Sequence, residues 1–422
     1  MSISGWRLVV VVGVVVLTAA AVAVGVSGVG VSTPSMSNAS PSPTSIDACT
    51  TITSPGTYEL SRDVATRTRE SCIDIRADDV ELDGAGHAID GRSLRDSSTA
   101  VVVGAHRTRS NVTVRNIEVR NWVYGVSVVN ASETTVEGVR TSRTVEGVTV
   151  ENSSDVTVAD STISNGFVGI SVVHSRRVAV RKTVVETQAS IGFSVIDSTD
   201  VAITNSSGRS NHVGVALFDT TRVHVIGATI TESSAVGVTV RNTRQTRISE
   251  SRLDNAGVTT TTMSGRVPRR YTSRDLALRN SARETVRNLS LAGTTVSLSG
   301  DDLLLTGTSD TSERDESDDA SDSNANEWRP VTDPVTVTPY GSDSRLWLTV
   351  QYSDAAVREA KVEEESLRVL ECRDDDCSRT TGEQRLSSGR NAVSVEGHRI
   401  DHEVDFLLVG VPSRRPSAVS TR

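Results

Sequence analysis

From Gly125 the chain reads GVSVVN, apolar and small polar positions alternating, and the same pattern returns at Gly147 (GVTVEN), Gly169 (GISVVH), Gly192 (GFSVID), Gly214 (GVALFD) and Gly237 (GVTVRN). Val126, Val148, Ile170, Phe193, Val215 and Val238 share one face, while Ser127, Thr149, Ser171, Ser194 and Thr239 share the other, which is strand periodicity. The leading glycines are 22, 22, 23, 22 and 23 residues apart, a period at which each repeat is one unit of a solenoid. Later in each repeat a second alternating pair recurs (Val156/Val158, Val178/Val180, Val201/Ile203, Val223/Val225). A third apolar element follows around Ile163, Val185, Ile230 and Leu253.

Three short strands per repeat leave no room for a helix, and equivalent strands one repeat apart must pair in parallel. The pattern predicts an all-β chain built on a parallel β-helix, its coils about 4.8 Å apart and its inward Val/Ile columns forming a narrow core. Glycine at each repeat start suits a tight corner. The sixth position of each phrase (Asn130, Asn152, His174, Asp197, Asp219, Asn242) is expected at a strand end, where polar side chains bond the coils above and below. Trp122 and Tyr124 fall in phase with inward positions and read as core, a small exposed aromatic platform being the alternative.

The pattern also divides the chain. Arg7 precedes an apolar run from Leu8 to Val31 without a charged residue, so residues 1–31 read as an export segment, either a cleaved signal peptide or a transmembrane anchor. Residues 32–46, rich in Ser, Pro and Thr, read as a linker. The β-helix is expected over 47–307, with regular coils at 125–257, an irregular segment at 258–275 and one or two closing coils up to 307. Residues 308–327 are acidic and aperiodic and read as a disordered linker. Alternating segments from Trp328 predict a small C-terminal β-sandwich over 328–415.

Composition adds three constraints. Lys182 and Lys361 are the only lysines, so 42 of the 44 basic residues are arginine, and the net charge is -9. That balance resembles exported proteins of extreme halophiles; codon bias alone is the alternative. It excludes nucleic acid as a partner, which needs clustered positive charge. The four cysteines form two local pairs, so in an exported chain the expected disulfides are Cys49–Cys72 and Cys372–Cys377.

The cysteine-bracketed start, the segment DDVELDGAGHAIDG (Asp78 to Gly91) and the glycine-led coils together resemble the right-handed β-helix proteins of the NosD type, with PbH1 repeats, also called CASH domains. The likeness covers about residues 47–300. It implies right-handed coiling and leaves three functions open: a surface binding or structural module, a polysaccharide lyase, hydrolase or epimerase, and an accessory factor for a copper enzyme. The Asp-Pro-His-Glu tetrad of alginate epimerases is absent, and Ala88 follows His87 where pectin hydrolases carry Gly-His-Gly.

Candidate chemistry is sparse. The outward columns of the first strand show one carboxylate, Glu151, whereas glycoside hydrolysis needs two. Asp83, His87 and Asp90 form the most enzyme-like trio, with capping of a glycine-rich corner as the structural alternative. Val129, Val173, Ile196 and Phe218 occupy one outward column and form a candidate partner surface, unless the irregular segment or the C-terminal strands cover them. Sequons at Asn38, Asn111, Asn130, Asn152, Asn205 and Asn288 are candidate glycosylation sites. No catalytic residue, cofactor or metal is expected. The expectation is a cell-surface or extracellular module, membrane-anchored if the first segment is retained, whose partner is carbohydrate or another surface protein.

Overall fold

The computed structural model describes residues 42–413, apart from 69, 93–97, 256–258, 265–266, 282–283, 301, 308–327, 341–343 and 374–375. The apolar run, most of the Ser/Pro/Thr segment, Asn38 and the acidic segment lie outside the described residues. Among the described residues no helix is long and apolar enough to cross a membrane.

The repeats stack as coils of three parallel sheets. In the first sheet nine successive parallel pairings run from Thr50–Ile52 to Arg274–Arg279. The register is the one the repeat dictates: Val126↔Val148, Val148↔Ile170, Ile170↔Phe193, Phe193↔Val215 and Val215↔Val238. The second sheet stacks Val112, Thr134, Val156, Val178, Val201 and Val223 in one column. The third stacks Val119, Thr141, Ile163, Val185, Gly208, Ile230 and Leu253. Inward Val, Ile and Phe residues of all three sheets are buried in one continuous core, and parallel pairing satisfies the backbone between coils.

Two kinds of polar ladder pin the corners. At the sixth position Asn130, Asn152, His174, Asp197, Asp219 and Asn242 all adopt left-handed backbone, φ 47–55°, a conformation that Asn and Asp tolerate best. Asn242 Nδ2 donates to Asp219 Oδ1 at 3.1 Å, and His174 Nε2 lies 3.5 Å from Asp197 Oδ2. Inside the coils buried hydroxyls accept backbone N–H groups from the preceding coil: Ala131 N to Ser153 Oγ, Ser153 N to Ser175 Oγ and Ser175 N to Ser198 Oγ, at 3.0–3.1 Å. The repeat glycines are packed too tightly for a side chain: a Cβ on Gly169 would lie 2.2 Å from Val185 Cγ1.

Both ends depart from the sequence reading. The solenoid begins earlier than residue 47, because Thr44–Ile46 pairs in parallel with Tyr58, Glu59 and Leu60. At the far end, residues 294–307 do not form closing coils. Thr294–Gly300 folds back antiparallel on Thr285–Leu291, and Leu303–Gly307 pairs antiparallel with Arg274–Arg279. The C-terminal strands continue from these two: Val335–Pro339 pairs with Leu303–Gly307, and Ser344–Gln351 with Thr294–Gly300. Their inward residues, among them Val337, Leu348, Val395 and Phe406, join the solenoid core. Among the described residues both strands of the last coil are therefore paired on each side, which removes the hazard of unpaired strand groups. A short helix, Asp354–Ala360, capped by Ser353, interrupts the strands where the sequence reading had none.

The two disulfides are Cys49–Cys72 and Cys372–Cys377. The first closes a loop with a sequence separation of 23 around the opening coil. Its removal in a Cys49→Ser/Cys72→Ser variant is expected to cost roughly 3 kcal/mol on the loop-entropy account. Urea unfolding would read this as a lower midpoint, and an unchanged midpoint would show that the bond does not hold the coil.

Candidate functional site

The outer face of the first sheet carries three columns of side chains. The floor runs Asp74, Val102, Ser127, Thr149, Ser171, Ser194, Ala216, Thr239 and Ala277. One wall runs Val129, Glu151, Val173, Ile196, Phe218, Arg241 and Arg279, and the other Thr99, Tyr124, Glu146, Val168, Ile191, Val213, Val236 and Arg274. Small residues between larger walls make a trough, which near the N-terminal end widens to about 480 Å³, lined among others by Tyr124, Ser127, Glu146, Thr149 and Glu151.

Sequence reasoning favoured the wrong face for Tyr124 and missed Glu146. Trp122 is core as expected, fully buried, its Nε1 donating to Ile89 O at 3.1 Å. Tyr124 is not core: it lines the trough and is half-buried. Strict alternation would put it on the inner face with Val126, but alternation slips by one residue at buried Gly125, inside the strand Glu118–Val129. The same slip places Glu146, just before Gly147, opposite Glu151. The signal was present, since the residue before each repeat glycine forms a column of its own.

Glu146 Oε2 accepts a hydrogen bond from Thr149 Oγ1 at 2.7 Å, across the trough floor. Glu146 and Glu151 are half-buried and stand on opposite walls, five residues apart in the strand Arg140–Glu151. The Glu146 carboxylate thus leans over the floor toward the wall that carries Glu151, and both line the same hollow. Below Val102 in the floor column, Asp74 is buried; its Oδ2 lies 2.6 Å from Arg76 Nη2 and 3.5 Å from His106 Nε2.

Asp83, His87 and Asp90 are each held by different partners. Asp83 Oδ1 accepts from Ala85 N at 2.8 Å, closing a turn, and its Oδ2 lies 2.7 Å from Arg115 Nη2. Asp90 is held by Arg120 Nε and Asn121 Nδ2, both at 2.9 Å, and these bonds keep its carboxyl below the ordinary range against the opposing cost of burial. His87 Nδ1 sits 3.2 Å from Asp63 Oδ1 instead. A second hollow of about 250 Å³ beside Asp83, Asn116 and Glu118 is lined by groups already paired to arginines and backbone.

Val129, Val173, Ile196 and Phe218 stand half-buried on the outer wall. The irregular segment forms an antiparallel hairpin, Thr259–Ser264 with Val267–Thr272, whose side chains lie outside the described residues. Of the sequons, Asn111, Asn152, Asn205 and Asn288 are exposed and Asn130 is half-buried. Asn111 Nδ2 donates to Asp79 Oδ1 at 2.7 Å. Among the described residues no group of three His, Cys, Asp or Glu could hold a metal ion.

Residues 99–258 match the family profile described as right handed beta helix region. The solenoid is a right-handed β-helix. No curated protein matches the chain. Solved structures with a similar trace include the catalytic domain of a GH87 α-1,3-glucanase, with 13% identity over 56% of this chain and 48% of that chain, TM-score 0.35. Others are the A-module of the mannuronan C-5 epimerase AlgE6 of Azotobacter vinelandii (16% identity, 56% and 78% covered, TM-score 0.35) and PfbA, a surface adhesin of Streptococcus pneumoniae (9%, 56% and 80%, TM-score 0.27). The match spans about half of the glucanase chain, and 64% of the periplasmic alginate epimerase AlgG.

Proposed function

We propose that this chain is an exported surface module that binds a polysaccharide along the outer face of its first sheet, in the trough framed by Tyr124, Glu146, Thr149 and Glu151. The observation that carries the reading is the trough itself: an aromatic ring and carboxylates on its walls above a floor of Ser127, Thr149 and Ser171. A sugar chain needs an apolar face for its rings and a line of donors and acceptors for its hydroxyls, and this strip supplies both. Successive coils repeat the floor hydroxyl about every 4.8 Å, so the surface suits a polymer lying along the solenoid. The two disulfides support an oxidising, extracytoplasmic setting, and the apolar run at 8–31 supplies an export segment or an anchor to the membrane. A polysaccharide-active enzyme using Glu146 and Glu151 as its carboxyl pair is the second reading.

Affinity electrophoresis through gels containing neutral or acidic polysaccharides tests the proposal. The wild type is expected to be retarded by at least one polymer. Tyr124→Ala is expected to weaken that retention about tenfold, equivalent to about 1.4 kcal/mol, with an unchanged melting temperature. Retention that ignores the substitution would remove the trough from the binding site, and release of reducing ends would favour the enzyme.

A further inference from the structure

At the opposite end of the same face, arginines gather on neighbouring rungs. Elsewhere along the solenoid some exposed arginines are met by an acid on a neighbouring coil. Arg177 pairs with Asp155 at 2.6 Å, Arg181 with Asp160 at 3.4 Å, Arg222 with Asp200 at 2.5 Å and Arg209 with Glu232 at 2.9 Å. In the outer wall, however, Phe218 is followed by Arg241, and Arg241 by Arg279 as its direct register partner. Two exposed guanidinium groups therefore rise from adjacent rungs about 4.8 Å apart, and like charges directly opposite each other are destabilising. Neither has an ion-pairing acid among the described residues.

Across the floor of Thr239 and Ala277, Arg274 forms the other wall. Its one ion pair among the described residues is long, 3.9 Å to Glu403 Oε2, a carboxylate oxygen that also accepts from Thr338 Oγ1 at 2.7 Å. Tyr340 closes this end: it is 43% exposed, and the Arg279 guanidinium carbon lies 5.3 Å from its ring centroid. The nearby acids are engaged elsewhere, Asp219 with Asn242 Nδ2 at 3.1 Å and Asp302 with Asn280 N at 2.6 Å.

We propose that Arg241, Arg274 and Arg279, with Tyr340, bind the carboxylate or sulfate groups of an anionic polysaccharide. Guanidinium forks match such oxyanions in geometry and charge, and the adjacent phenol ring offers a face to the sugar that bears them. An anion seated between Arg241 and Arg279 turns their repulsion into two charge-assisted contacts. Glu146 lies five rungs before Arg274, roughly 24 Å along the solenoid. That is about three Debye lengths at physiological salt, so the acidic end of the trough does not oppose the binding. That the polymer is a polysaccharide rests on the function proposed above; the anion site rests on the arginines alone.

The test is titration calorimetry of the full chain with dextran sulfate, polygalacturonate and unmodified dextran, for the wild type, Arg241→Ser/Arg279→Ser and Tyr124→Ala. The wild type is expected to bind a charged polymer more weakly as salt rises. The arginine variant is expected to lose at least tenfold in affinity, while its melting temperature without ligand holds or rises because the repulsion is gone. Equal binding by wild type and arginine variant, or no binding of either charged polymer, overturns the proposal. Tighter arginine-dependent binding to duplex DNA than to either polymer also overturns it. If Tyr124→Ala changes no polysaccharide affinity while the arginine variant does, the trough reading fails and the anion site stands.

Discussion

Replacing Val195 by aspartate is expected to unfold the central coils, whereas the same substitution at Ser194 leaves them folded. Val195 is 1% exposed and stacks in register between Val172 and Leu217 inside the solenoid. No cation lines that inward column, so a carboxylate there is buried unpaired, at a cost of several kcal/mol, a large part of the about 5–15 kcal/mol that holds a typical domain together. Each coil rests only on its neighbours, so the damage spreads along the stack. Ser194 is almost as inaccessible, at 4%, but it lies on the trough floor between Ser171 and Ala216. A longer side chain there extends outward to water, and its cost is about 1–2 kcal/mol, within the range of ordinary substitutions. Thermal melts of both variants decide the matter: equal losses would show that the two faces have been exchanged, since a slip of one residue inverts a strand.

That experiment probes the part of the fold that was most legible. The glycine spacing, the alternating Val and Ile, and the Asn/Asp corners all express one period, and a parallel solenoid is the geometry that satisfies them together. The cysteine pairs were legible for a similar reason, being local. Tyr124 and Glu146 were not, because alternation slips by one residue at Gly125 and Gly147, inside the strands. The C-terminal strands carried the right periodicity for strands but no mark of direction. Nothing in TVSLSG or LLLTG distinguishes a strand that continues a coil from one that folds back over it. The register pairs Leu276↔Leu305 and Val286↔Leu298 settle it, and both join leucine or valine side chains that would suit either topology. The candidate site was legible in part. The apolar column at Val173, Ile196 and Phe218 was readable, but its meaning changes once a second wall and an arginine pair flank the same floor. Asp83, His87 and Asp90 show the converse: they are close in sequence, yet each is tied to a different neighbour.

The other large effect is expected at Asp275, which joins the last coil to the returning strand. It is fully buried. Its Oδ1 accepts from Asn255 N and Asn255 Nδ2, both at 2.9 Å, and its Oδ2 accepts from Gly307 N at 2.8 Å. Asn255 in turn receives Ser233 N on Oδ1 at 2.7 Å, so Asp275 ends a buried ladder running along the coils. In Asp275→Ala the donors of Asn255 and Gly307 lose their acceptor, and each buried orphan costs about 1–3 kcal/mol, giving an expected loss of roughly 3–5 kcal/mol. Asp275→Asn keeps one acceptor oxygen but turns an amide NH₂ toward Gly307 N–H, so it recovers only part of the loss. The pH dependence has a definite sign. Burial pushes the Asp275 carboxyl above its ordinary value, against the hydrogen bonds from Gly307 and Asn255. A group whose folded value is raised contributes most below its unfolded value, and that contribution fades as pH rises through the folded one. The stability gap between wild type and Asp275→Ala, measured by urea unfolding from acid to neutral pH, is therefore expected to be widest in acid and to narrow to a plateau. A gap that widens with pH would show instead that the three donors outweigh burial, making this carboxylate an anion held by the ladder.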